Sequence, residues 1–344
     1  MKEKHSFIEL DETNIIKGIA IVLMFIHHFF TIPSFWTKTT AQLYIDNQFE
    51  VFSDCFKICV PVFAFLTGYF YYFTNKKSYR YTIKKITDFW INYLVVFLIL
   101  ILTEVALRIY SFNTLHFVKE VFALSRPTMI FCWYVCFYIG TMLILPIFYR
   151  FSEKSDILAI VFFSAIPAVL VFIIKISQVY VLTSLNDFIE YFYFLPVVIV
   201  GFECAKFDLL GMLYRVTLFK KRIHYFSLYC LFVLIPFFAR GANTYLDIFY
   251  APMFVFGIGS LVKMIKNKRL LLPISLMGKY SLLMWFLHCA FANQLKEITQ
   301  PILYFPRNPI LVTIWGLLMC VTVAFMIHFP IDGLNKIKNK LFRL

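Results

Sequence analysis

The chain has 344 residues, of which 61% are hydrophobic and 15% charged, with 43 Phe and 21 Tyr. No soluble globular domain needs that much apolar surface; a polytopic membrane protein does, because its helices are apolar towards lipid as well as towards each other. The formal charge of +14 does not point to nucleic acid, since the basic residues fall in short clusters between apolar runs, as the positive loops of a membrane protein do.

Taken in chain order, the apolar segments occupy 14–35, 56–73, 89–109, 130–149, 156–174, 188–205, 225–239, 245–262, 273–295 and 309–330. Each is near the ~20 residues that cross a bilayer. The reading is an all-α, polytopic integral membrane helix bundle with about ten transmembrane helices. It forms a single domain over 1–344. Charged residues precede the first run (Lys2, Glu3, Lys4, Glu9, Asp11, Glu12) and no small-residue cleavage site follows it, so it reads as a retained span. With the N-terminus inside, the inner segments hold 22 Lys and Arg and the outer ones nine. That bias predicts both termini cytoplasmic, in a multi-pass protein of the inner or plasma membrane. The longest outer loops, 36–55 and 110–129, contain Trp36, Tyr44, Tyr110 and Phe117. They are candidates to fold back as lids or re-entrant pieces.

Within the first span, Lys17 and His28 are eleven residues apart. On a helix that is about 1100° of rotation and about 16 Å of rise, so both side chains lie on one face, roughly three turns apart. His27 points about 100° away from that face. Ionisable groups inside a span are costly, which makes each a site candidate; the plain alternatives are a snorkelling Lys17 and a structural histidine. Further polar residues are Glu104 and Arg108 in the third span, Trp133 and Tyr134 opening the fourth, Asp187 and Glu190 in the sixth, Asp247 opening the eighth and His288 in the ninth. They either ring an outward-facing cavity above His28 or serve as interfacial anchors and solvated carboxylates. Gly68 ends the second span with room for close helix or ligand approach. The basic stretch from Lys76 to Lys85 reads as positive-inside topology or as a phosphate dock. The Cys55/Cys59 and Cys132/Cys136 pairs read as small packing residues, and no metal is expected. No P-loop, dinucleotide fingerprint, His-Glu-x-x-His or Gly-x-Ser-x-Gly motif occurs.

These pieces, in this order, resemble acyltransferase family 3, multi-span bacterial enzymes that move acyl groups, usually acetyl, from cytoplasmic acyl-coenzyme A to sugars and other acceptors outside. The resemblance lies in Lys17-Gly-Ile-Ala20 with His28, where the family has Arg and His at that spacing. It continues in Phe63-Ala-Phe-Leu-Thr67-Gly68-Tyr69-Phe70, in Cys132-Trp133-Tyr134-Val135, and in Gly278-Lys-Tyr-Ser281 followed by His288. Two features depart from the family. Lys17 keeps the charge of the usual Arg but loses its bidentate geometry. Where the family often has two Arg entering the third span, this chain offers Lys85 and Asp88. The resemblance implies an integral-membrane O-acyltransferase with His28 as general base and Lys17 and Lys85 on the donor, acetyl-coenzyme A, which is a co-substrate rather than a resident cofactor. It implies Trp133, Tyr134, Glu190 and His288 as supporting or acceptor-side groups. The implied partners are acyl-coenzyme A, a glycan or glycolipid acceptor and the lipid bilayer, with no nucleic acid. A transporter or flippase for a glycan or lipid-linked intermediate is the competing expectation, since polar groups along a bundle also suit a translocation path.

Overall fold

The computed structural model describes residues 6–30, 53–74, 77–109, 112–123, 133–177, 183–217, 222–291 and 295–342. The side chains of 53, 116, 172–177, 183–191, 222–223, 289, 296–297, 339 and 341–342 fall outside that description. No strand occurs among the described residues.

Helix α1 spans Leu10–Phe30. Its start is set by chemistry: Glu12 Oε2 accepts the Glu9 N–H at 2.9 Å, supplying a partner to one of the terminal donors. The same buried carboxylate meets Lys263 at 3.5 Å and Lys268 at 3.8 Å. At the other end the Tyr304 hydroxyl donates to the Phe29 carbonyl at 2.9 Å, satisfying one of the acceptors a helix end leaves over.

There follow α2 (Ser53–Phe56), α3 (Cys59–Phe73), α4 (Tyr79–Ala106), α5 (Thr114–Val121) and α6 (Trp133–Ser152). Helices α7 (Asp156–Ile160) and α8 (Ile166–Ser177) are joined through a π-helical turn at Val161–Ala165. Next come α9 (Thr183–Lys206), α10 (Leu209–Thr217), α11 (Arg222–Ala242) and α12 (Asp247–Met264). The chain ends with α13 (Leu272–Lys279), α14 (Ser281–Cys289), α15 (Lys296–Leu303) and α16 (Pro309–Phe342). Over the described residues each expected span falls mainly on helix. Among the described residues seven helices are long and apolar enough to cross a membrane, or eight if the bent pair α13–α14 counts as one span. The other two expected spans fall on α7–α8 and α9. The ninth expected span is not one straight rod: it bends by 61° between α13 and α14.

Glycines decide which helices lie closest. A Cβ on Gly278 would come within 1.7 Å of the Asn14 carbonyl, and one on Gly18 within 2.0 Å of the Ile274 carbonyl. Helices α1 and α13 therefore touch backbone to backbone, as small residues permit inside membranes. Helices α3 and α9 do the same through Gly68 against Val198 and Gly201 against Phe65. Gly278→Ala is accordingly expected to lower stability by about 1–3 kcal/mol through overpacking. Gly140→Ala, whose Cβ would meet nothing within 4 Å, is the control and stays within about 0.5 kcal/mol. Thermal unfolding in detergent checks this, and equal melting temperatures for the two variants would contradict the close contact.

Helix α5, in the 110–129 stretch, packs back along α4. The Phe117 ring sits 5.9 Å from Phe97, the Tyr93 hydroxyl donates to the Glu120 carbonyl at 2.5 Å, and Trp90 Nε1 donates to the Val121 carbonyl at 3.0 Å. Helix α5 therefore runs back down α4 to about its midpoint. The Cys136 thiol then meets the Ala123 carbonyl at 3.0 Å, so α6 begins at the same depth. Phe89 stacks on Tyr138 at 4.1 Å, which puts Trp133, five residues earlier, about 18 Å short of the far end of α4. Of the two readings of this pair, outer-interface anchors or groups of the interior, the packing favours the second for Tyr134, which is buried, while Trp133 is half-buried. The other long outer loop, 36–55, lies outside the described residues up to 52.

At the basic end, α16 has 34 residues, about 51 Å of helix against a hydrocarbon core of ~30 Å. In its last turns Lys338 pairs with Asp88 of α4.

Candidate functional site

A cavity of about 320 Å³ lies between α1, α3, α4, α6 and α14. Its walls follow from helical spacing. Phe63, Thr67 and Tyr71 succeed one another at i, i+4, i+8 on α3; Tyr81, Lys85 and Phe89 do so on α4; Tyr134, Tyr138 and Met142 do so on α6. Each set forms one stripe of its helix. Helix α14 adds Ser281 and Trp285, one turn apart, and α1 adds Lys17.

The cavity is electrically one-sided. Among the described residues its lining includes two ammonium groups, Lys17 and Lys85, and no carboxylate. Lys17 is largely enclosed, whereas Lys85 is exposed and sits 5.7 Å from the Tyr81 ring centre. The nearby Asp88 is engaged by Lys338. Among the described residues neither Lys17 nor Lys85 forms an ion pair with a carboxylate. The Tyr71 hydroxyl is buried at the same end, with Thr82 as its neighbour. Keeping two like charges in a shared low-dielectric space is costly unless an anion joins them. Positively charged donors converging on one space suit phosphate oxygens.

The other end of the cavity is aromatic. Trp285 packs on Tyr134 at 4.8 Å and edge-on to Phe63 at 5.4 Å. Behind this roof stands a histidine cluster. The Trp285 and His288 ring centres are 6.3 Å apart, His288 and His28 are 4.8 Å apart, and His28 and His27 are 4.8 Å apart. His27 and His288 are buried, while His28 keeps an accessible edge. His288 Nδ1 bonds to the Trp285 carbonyl. A carbonyl can only accept, so Nδ1 carries the proton and Nε2 the lone pair.

Of the residues singled out from sequence, Lys17, Lys85 and Tyr134 line the cavity, and His28 and His288 meet behind its roof. Trp133 packs one layer back, stacked on Phe194 at 5.8 Å and 5.7 Å from Tyr134. Glu190 belongs to α9, with its side chain outside the described set, as is that of Asp187. Asp247 is not part of the site: Arg240 holds it with two bonds of 2.8 and 3.2 Å and donates to the Asp54 carbonyl at 2.5 Å. Glu104, near the far end of α4, is absent from the lining. Trp285, Tyr71, Tyr81 and Phe63 were not picked out beforehand as site residues. For Phe63, Tyr71 and Tyr81 the signal was the i, i+4, i+8 spacing, which in an aromatic-rich chain looks the same as ordinary core packing; Trp285 had no such repeat around it.

The family profile described as Acyltransferase domain matches residues 10–329. No curated protein matches the chain, and no solved structure does.

Proposed function

This chain belongs to acyltransferase family 3 and is a multi-pass membrane acyltransferase. On that premise we propose that it moves an acetyl group from cytoplasmic acetyl-coenzyme A to a hydroxyl of a surface polysaccharide or its lipid-linked precursor. The observation that carries this reading is a cavity with two ammonium groups at one end and the His28–His288 pair behind the aromatic roof at the other. The donor's phosphates pair with Lys17 and Lys85, on the side that the positive-inside bias makes cytoplasmic. From phosphorus to sulfur the pantetheine arm has about 13 bonds, or roughly 16 Å when extended at about 1.2 Å per bond. That equals the rise of about 16 Å from Lys17 to His28 along α1. A phosphate held at Lys17 thus brings the thioester to the histidines.

In the transfer, His28 takes the proton of the acceptor hydroxyl as that oxygen attacks the thioester carbonyl. A C–O bond forms, the C–S bond breaks, and the coenzyme A thiolate leaves, taking the proton back from His28 so that the base is restored. His288, with its tautomer set by the Trp285 carbonyl, packs against the His28 ring and orients it. Fixing a base in its reactive geometry lowers the barrier without any new contact to substrate.

Inverted and right-side-out membrane vesicles, prepared from a deletion strain and its complemented parent and given acetyl-labelled coenzyme A, test the reading. Label is expected in surface glycan, together with released coenzyme A, only in complemented vesicles exposing the cytoplasmic face. No release and no labelled glycan in either orientation would refute it.

A further inference from the structure

Trp285 occupies the one position in the described site where donor cavity and histidine pair meet. Its ring lines the cavity, and its carbonyl holds His288. The ring is pinned from two sides by different helices: Tyr134 of α6 at 4.8 Å and an interplanar angle of 34°, and Phe63 of α3 at 5.4 Å and 87°. Contacts with offset or edge-on geometry of this kind hold an aromatic ring in place. Swinging it aside on α14 therefore breaks its packing on both α3 and α6. The base of this half-helix is also anchored, because Gly278 just before the bend is locked against Asn14. An acyl group on the donor sulfur that is to reach His28 has to lie against this fixed ring.

We propose that Trp285, backed by Phe63, sets the length of the acyl group: it admits two carbons beside His28 and rejects longer straight chains. This rests on the acyl-coenzyme A reading of the cavity and adds the selection rule to it. A rigid wall rejects an extra methylene by about 10–200-fold, because close-packed aromatic neighbours leave no slack for it. Replacing the indole with a small side chain opens space at the acyl end only, since the phosphate-bearing part of the donor meets Lys17 and Lys85 at the opposite end of the cavity.

The test is equilibrium binding of coenzyme A, acetyl-, butyryl- and hexanoyl-coenzyme A to the purified full chain in detergent, for wild type, Trp285→Ala, Trp285→Phe and Phe63→Leu. Wild type is expected to bind butyryl- and hexanoyl-coenzyme A at least tenfold more weakly than acetyl-coenzyme A. Trp285→Ala should bring all three within about threefold, and Phe63→Leu should fall between. Trp285→Phe, which retains an aromatic wall, should keep most of the preference. A wild type that binds all chain lengths alike overturns the proposal even if no variant folds, and so does a Trp285→Ala protein that keeps the wild-type ranking. Failure of wild type to bind free coenzyme A would instead strike at the donor reading itself, so the two failures are distinguishable.

Discussion

His28→Ala lowers acyl transfer by about 10²–10⁴, the usual loss when a general base is removed, while donor binding persists. His27→Ala keeps measurable transfer. The two residues are neighbours in sequence and differ in what the fold does with them. His28 shares the Lys17 face of α1, keeps an accessible edge and packs on His288 at 4.8 Å. His27 is buried. The measurement is acetyl transfer by purified variants at matched folded concentration, with coenzyme A binding recorded alongside. Near-normal turnover in a donor-binding His28→Ala protein would refute the assignment. An essential His27 would turn the active face about 100° away from Lys17 and overturn the assignment.

Lys17→Ala weakens coenzyme A binding by roughly tenfold to a hundredfold, as expected for losing a charged hydrogen bond worth about 1.5–3 kcal/mol. Lys17→Arg retains most of the affinity, since charge and reach survive. The effect exceeds that of Lys85→Ala. Lys85 is exposed at the mouth, where water screens its charge, whereas Lys17 is largely enclosed. Dissociation constants at two salt concentrations separate the cases, with the Lys85 contribution shrinking more at high salt. A Lys17→Ala protein with unchanged affinity would reduce that lysine to a snorkelling cation.

The sequence by itself determined the class of this protein. Long apolar runs broken by basic loops admit little besides a helical membrane bundle, because lipid leaves backbone polar groups no partner outside the helix. It also determined the pairing of Lys17 with His28, because 3.6 residues per turn puts positions eleven apart on one face wherever the helix packs. The short, ordered matches to acyltransferase family 3 were legible for the same reason: they are local.

Only the tertiary structure decided the rest, because it depends on contacts between segments far apart in the chain. Trp133 and Tyr134 read equally as cavity groups or interface anchors until α5 is seen to pack back along α4 through Trp90 and Tyr93, with Cys136 of α6 against Ala123. Asp247 read as a possible cavity group until Arg240 took both of its oxygens. Trp285 carried no signal of its own in a chain with 43 Phe and 21 Tyr. Its place between the cavity and His288 follows from the 61° bend of α13–α14 and from glycines that bring α13 onto α1. Burial and depth are properties of the whole packing, whereas helical spacing resides in the chain itself; that division separates what was legible from what was not.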